Sequence, residues 1–119
     1  MEIVKLEEKL SLITELWSPK IVGELNNQYV KLAKVEGEFV WHDHENEDEM
    51  FLVINGELSI DFRDKTIVLH AGEMCIVPKG VEHRPRAEKE THILLFEPKV
   101  TAHTGKVECD LTVTNQEHI

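Results

Sequence analysis

Between residues 21 and 97 the chain is cut by turn residues into short stretches of strand length, most of them apolar runs too short for helices. Residues 21–24 and 28–35 flank the turn-like Leu25-Asn26-Asn27. Residues 39–44 read as a further strand, and Glu49 opens the apolar run Met50-Phe51-Leu52-Val53-Ile54. Asn55-Gly56 is the strongest hairpin signal, because a type I′ turn places both residues at positive φ. Leu58, Ile60 and Phe62 then alternate with Ser59 and Asp61; Arg63-Asp64-Lys65 and Ala71-Gly72 set off the strands 66–69 and 74–77; and 91–97 is the last strong one. Seven or eight short strands at such spacing predict an all-β, antiparallel sandwich or barrel with alternate residues inside. Helical spacing occurs only at Leu6, Leu10, Ile13 and Leu16-Trp17, which predicts a short N-terminal helix or turn ending before Ser18-Pro19.

At 119 residues the chain is expected to form one domain, with a core over about 20–98 and an extended or poorly ordered tail over 99–119. The formal charge of −10 argues against nucleic acid or an anionic membrane as partner, since both would repel it. The N-terminus lacks the apolar core of a signal peptide, and the run 50–54 is too short to span a bilayer. Cys75 lies in a strand-like run and reads as a small buried hydrophobe, while Cys109 lies in the polar tail. Two such cysteines give little reason to expect a disulfide, and a cytoplasmic location is the expectation.

The chemistry is carried by His42-x-His44-x4-Glu49 and, later, by His83 in Pro78-Lys79-Gly80-Val81-Glu82-His83. Three imidazoles and a carboxylate suit one divalent transition metal: iron, manganese, nickel, copper or zinc. On an extended strand His42 and His44 leave the same face. Phe39 and Trp41 have the opposite parity and are expected to face away from the metal, in sheet packing or a dimer contact.

These residues resemble the cupin superfamily over roughly 37–87. The first cupin motif is matched by Gly37, His42, His44, Glu49 and Gly56, and the second by Gly72, Pro78, Gly80 and His83. Gly37 precedes His42 by one residue fewer than usual, and Ala87 stands where the second motif usually closes on Asn. Neither departure touches a ligand position. The chain is also similar to the small single-domain cupins labelled sugar-phosphate-isomerase-like. The resemblance implies a double-stranded β-helix, or jelly-roll barrel, with His42, His44, Glu49 and His83 as ligands, and a homodimer formed through N-terminal strands. With four protein ligands, a six-coordinate metal would keep about two positions for substrate or dioxygen.

Around that set, Val40, Phe51, Val53 and Phe96 are the expected apolar pocket wall. Arg84 and Arg86 could hold a substrate carboxylate or phosphate, or balance Glu82, Glu88 and Glu90 in a charged turn. His92 is either a pocket acid or base or a plain strand position; His70, His103 and His118 have no partner at ligand spacing. Two functions remain open. One is a metal-dependent enzyme on a small polar molecule, either dioxygenase-like or an isomerase or lyase. The other is a non-enzymatic metal- or small-ligand-binding module.

Overall fold

The computed structural model describes residues 1–101, 104–105 and 115–119. One helix, α1 (Leu6–Ser11), precedes seven strands: β1 (Lys20–Leu25), β2 (Gln28–Glu38), β3 (Glu49–Asn55), β4 (Glu57–Asp61), β5 (Thr66–His70), β6 (Met74–Val77) and β7 (Arg84–Pro98). Every strand pairing is antiparallel, in the order β1-β2-β7-β3-β6, with β4 paired to both β5 and β7. The long β7 is the common partner. Its first residues pair with β4 and with the end of β2, and its later ones lie between β2 and β3. Alternation along β7 sends Thr91, Ile93, Leu95 and Glu97 inward, where Ile93 and Leu95 join Val35, Phe51, Val53, Leu58 and Ile60 in the barrel core. No helix among the described residues is long and apolar enough to cross a membrane.

The outer face of the sheet is also apolar, for a separate reason. Leu10 and Ile13 from α1 and its exit pack on Leu32, Ile54 and Leu94, making a second small core. The helix is shorter than its spacing predicts. It ends at Ser11, after which Leu16 bridges to Lys34 and Trp17 takes a positive φ of 58°.

Asn55-Gly56 is not a hairpin. β3 and β4 do not pair with each other; both pair with β7, and only Gly56 of the two has a positive φ, 101°. A Cβ on Gly56 would lie 2.6 Å from Thr91 Oγ1, so this corner passes too close to β7 for any side chain. A two-residue hairpin turn lies instead at Asn26-Asn27, with Asn26 at φ 54° and Leu25 opposite Gln28. At the other end of the chain, Ile21 N–H donates to Glu117 O at 2.8 Å, Ile119 N–H donates to Ile21 O at 2.9 Å, and Ile119 packs on the second core. Residues 117–119 are therefore docked along β1, while Cys109 and His103 lie outside the described residues.

Candidate metal centre

Residues 39–48 do not form the expected strand. β2 ends at Glu38, after a bulge between Val35 and Gly37 where Gly37 takes φ 84°. The chain beyond is held by individual bonds. Phe39 N–H donates to Pro85 O at 2.9 Å, and His42 and His83 exchange both backbone hydrogen bonds, at 3.0 and 2.9 Å. Gly80 N–H donates to His44 O at 2.8 Å, and Lys79 N–H to the Asp48 carboxylate at 2.9 Å. The Pro78-to-Gly80 turn thus clamps the loop that carries His44 and delivers His83 opposite His42.

The four side chains meet inside the barrel. His42, His44, Glu49 and His83 are all buried and offer ligand atoms that lie within 4.8 Å of one another, so they could hold a metal ion. His42 Nδ1 and His83 Nδ1 each lie 2.9 Å from the carbonyl two residues earlier, of Val40 and Val81 respectively. Those bonds place the ring proton on Nδ1 and leave Nε2 with a free lone pair, the arrangement that orients a histidine toward a metal. His44 Nε2 and His83 Nε2 stand 3.3 and 3.4 Å from Glu49 Oε1, and all three atoms are buried without a hydrogen-bond partner. Leaving buried polar atoms unpaired costs about 1–3 kcal/mol each, and an ion among them would satisfy all three.

The charge states of His42 and Glu49 fit the same purpose. Burial, with the neighbouring His83, pushes His42 down to about 4, so it stays neutral and ready to ligate at pH 7. Burial opposes protonation of His44, but the adjacent Glu49 carboxylate outweighs it and raises its pKa. Burial likewise opposes charge on Glu49, yet the polar groups of His44, His83 and Glu97 that face it hold it well below the usual carboxylate range.

Glu97 and Lys31 are buried charges beside the cluster that the site motifs do not reveal. Both are buried inside the barrel, with Lys31 Nζ 2.7 Å from Glu97 Oε1. Burial and the Glu49 charge push Glu97 well above its ordinary range, with Lys31 pulling the other way. A signal existed: Glu97 shares the parity of Ile93 and Leu95.

A cavity of about 30 Å³ abuts His42 and Glu49. Apart from those two its wall is apolar, with Trp17, Phe39, Phe51, Ile93 and Leu95 prominent. Of the expected pocket wall, Phe51 is therefore in place. Phe39, expected to face away, lies edge-on to His42 with ring centroids 5.4 Å apart, because the chain leaves strand geometry before it. Val40 contributes its carbonyl to His42, and Val53 is buried in the core further along β3. Phe96 does not line the cavity, and His92 takes the plain strand position of its two readings. They have the outward parity of β7, where Phe96 borders a surface hollow with Met50 and Ile76, and His92 Nε2 lies 2.8 Å from Glu90.

Arg84 and Arg86 also share that outward parity and do not line the cavity. Both reach Asp61 Oδ2 at 2.9 Å, and Thr66 Oγ1 donates to Asp61 Oδ1 at 2.7 Å. Trp41 faces away as expected, its ring covered by Arg63 at 3.8 Å and Arg84 at 5.2 Å. The Arg86 hydrogen bond, then Thr66 and Arg84, hold the Asp61 carboxyl well below its usual range despite burial. This stability is complete above an unfolded pKa of about 4 and lost as pH falls toward the lower folded value. Asp61→Asn is accordingly expected to cost about 1–2 kcal/mol at pH 7, allowing for solvent at the half-buried arginines. Urea melts should show that deficit shrinking as wild type is acidified below pH 4; a constant deficit would refute the assignment.

Comparison with known proteins agrees with this geometry. Residues 28–97 match the family model described as a cupin domain. The uncharacterized protein YdbB of Bacillus subtilis (strain 168) is 46% identical over 79 residues, 66% of this chain and 70% of that protein. Among solved structures, a cupin-2 domain containing protein from Shewanella frigidimarina is 49% identical, with TM-score 0.81 over 82% of this chain and 95% of that one. The protein NMB1881 from Neisseria meningitidis is 33% identical, with TM-score 0.76 over 82% and 100%. With the family match spanning more than half its length and the barrel and four-residue cluster in place, the chain belongs to the cupin family.

Proposed function

We propose that this cupin is a metal-dependent enzyme that holds one divalent transition metal through His42, His44, Glu49 and His83 and acts on a small molecule beside it. The observation that carries the reading is the convergence of three buried, unpartnered ligand atoms, His44 Nε2, Glu49 Oε1 and His83 Nε2. The adjoining cavity supports an enzyme over a structural ion, since structural sites are closed by protein whereas catalytic ones keep access for a ligand. A bound ion there would polarise a substrate oxygen or offer a place for dioxygen, the two chemistries of dioxygenase-like and isomerase or lyase cupins. The chain's own residues would orient the ligand set through Val40 O and Val81 O and exclude water with the aromatic wall. A homodimer in the cytoplasm belongs to the same reading, from the family and from the cysteine usage.

One observation favours a non-enzymatic binding module instead: no acid or base other than His42 and Glu49 lines the cavity. Elemental analysis of protein purified without a metal-affinity tag tests the central claim. About one equivalent of iron, manganese, nickel, copper or zinc is expected in wild type, and little in His42→Ala/His44→Ala. Iron would direct the substrate screen to oxygen uptake, and the other metals to isomerase or lyase substrates. No metal in wild type even after reconstitution would refute the reading, and turnover absent across both screens would leave the binding module.

A further inference from the structure

Trp17 lies outside the residues that match the cupin family model, yet it forms part of the cavity at the metal cluster. Its backbone sits at φ 58°, a region that costs a bulky residue about 1–3 kcal/mol and persists only where the surroundings enforce it. The enforcement is visible. Trp17 N–H donates to Lys34 O at 2.9 Å and its Nε1–H to Glu36 O at 2.8 Å, which pin the residue to β2 at both ends. The indole, only 8% exposed, stacks on Phe39 with centroids 4.7 Å apart and planes 18° apart, and Phe39 in turn meets the His42 ring edge-on. The order is therefore Trp17, Phe39, His42, ligand cluster.

We propose that the Trp17–Phe39 stack is the size-limiting wall of this site. The occupant is then a ligand of a few heavy atoms with one metal-binding head and an apolar body, and without a phosphate. The proposal rests on the metal reading above. The cavity of about 30 Å³ has room for only a few water-sized positions, since one water takes roughly 10–15 Å³ on this measure. No cationic side chain lines it. Arg84 and Arg86 are engaged by Asp61 outside, and the Lys31 ammonium, buried in the barrel, is paired to Glu97. A phosphate would find no second handle there. Removing the indole should open the wall to a larger apolar body while leaving the head group's bond to the metal alone.

The test uses full-length protein loaded with cobalt(II), whose visible bands report ligand binding at the ion. The probes are imidazole, 4-phenylimidazole and glycerol 3-phosphate. In wild type, imidazole should perturb the bands and 4-phenylimidazole should bind weakly. In Trp17→Ala, 4-phenylimidazole should gain at least about tenfold, the effect of burying one ring, with imidazole little changed. Glycerol 3-phosphate should leave the bands unmoved in both. Trp17→Phe and Phe39→Leu provide the same comparison at smaller loss of core, should Trp17→Ala fail to fold. Unchanged 4-phenylimidazole affinity in every folded, cobalt-containing variant would overturn the wall. Tighter binding of glycerol 3-phosphate than of imidazole to wild type would overturn the ligand class. Absence of cobalt bands from wild type would overturn the metal reading and this proposal with it.

Discussion

Replacing Lys31 with methionine is expected to cost about 3–5 kcal/mol of folding stability at pH 7, a fall in melting temperature of roughly 10–20 °C. Lys31 is 1% exposed and Glu97 is fully buried, and their 2.7 Å contact sets a cation against Glu97 in a barrel interior that also holds the Glu49 carboxylate. Truncating the lysine leaves the buried Glu97 carboxyl beside that of Glu49 without the cation that offsets it. The reverse change, Glu97→Leu, strands a buried ammonium and should cost a similar amount. Lys31→Met/Glu97→Leu removes both charges and should recover most of the loss, because an ion pair replaced by apolar groups of similar volume is often neutral. The pH dependence has a definite sign. Burial and Glu49 raise the folded pKa of Glu97, and losing Lys31 removes the group that lowers it. The single variant's deficit should be least below the ordinary glutamate range and grow as pH rises through the raised folded value. Urea melts of the four proteins without metal would show this as a coupling energy; independent, additive losses would mean that the pair does not act as a unit.

The ligand set was legible in the sequence because it is local: two histidines in one loop, a glutamate at the start of the strand that follows it, and a fourth ligand announced by Pro78 and Gly80. The strand content was legible for the same reason. What could not be read was which strand pairs with which. Asn55-Gly56 has hairpin composition, but β7 offers partners to both flanking strands, and Thr91 leaves Gly56 no room for a Cβ. Side-chain parity failed in two places with separate causes. Phe39 follows the bulge and the positive φ at Gly37, so counting from His42 along an assumed strand reverses its direction. Phe96 and His92 lie on a strand that is apolar on both faces, since α1 covers Leu94 from outside while Ile93 and Leu95 fill the barrel. Alternation alone cannot choose a face there. Trp17 gave no signal at all, because its helical spacing with Leu10 and Ile13 hides a residue whose backbone has already left the helix.

Glu49→Leu is expected to melt no lower than wild type when both lack metal, and to gain nothing when metal is added. Wild type in that state carries the unpartnered His44 Nε2, Glu49 Oε1 and His83 Nε2, together with a second buried carboxyl at Glu97. Leucine deletes one of those uncompensated atoms, removes the charge that opposes Glu97, and adds apolar contact inside the barrel. Sites built for a ligand are commonly stabilised when the functional group is taken away, because the fold tolerates its cost only for what the group binds. Metal reverses the ranking. A metal present at about 1,000 times its dissociation constant would stabilise wild type by about 4 kcal/mol, whereas losing a direct ligand should weaken binding beyond the roughly 10–100-fold typical of an outer-shell change. His83→Ala separates the two effects, since it should lose the response to metal while also opening a cavity where His83 has no exposed surface. Thermal melts of the three proteins, with chelator and with each candidate metal, test this directly. An equal rise on metal addition in wild type and Glu49→Leu would mean that the ion binds elsewhere. A large loss of stability in metal-free Glu49→Leu would mean that Glu49 holds the barrel together through His44 and His83 without any ion.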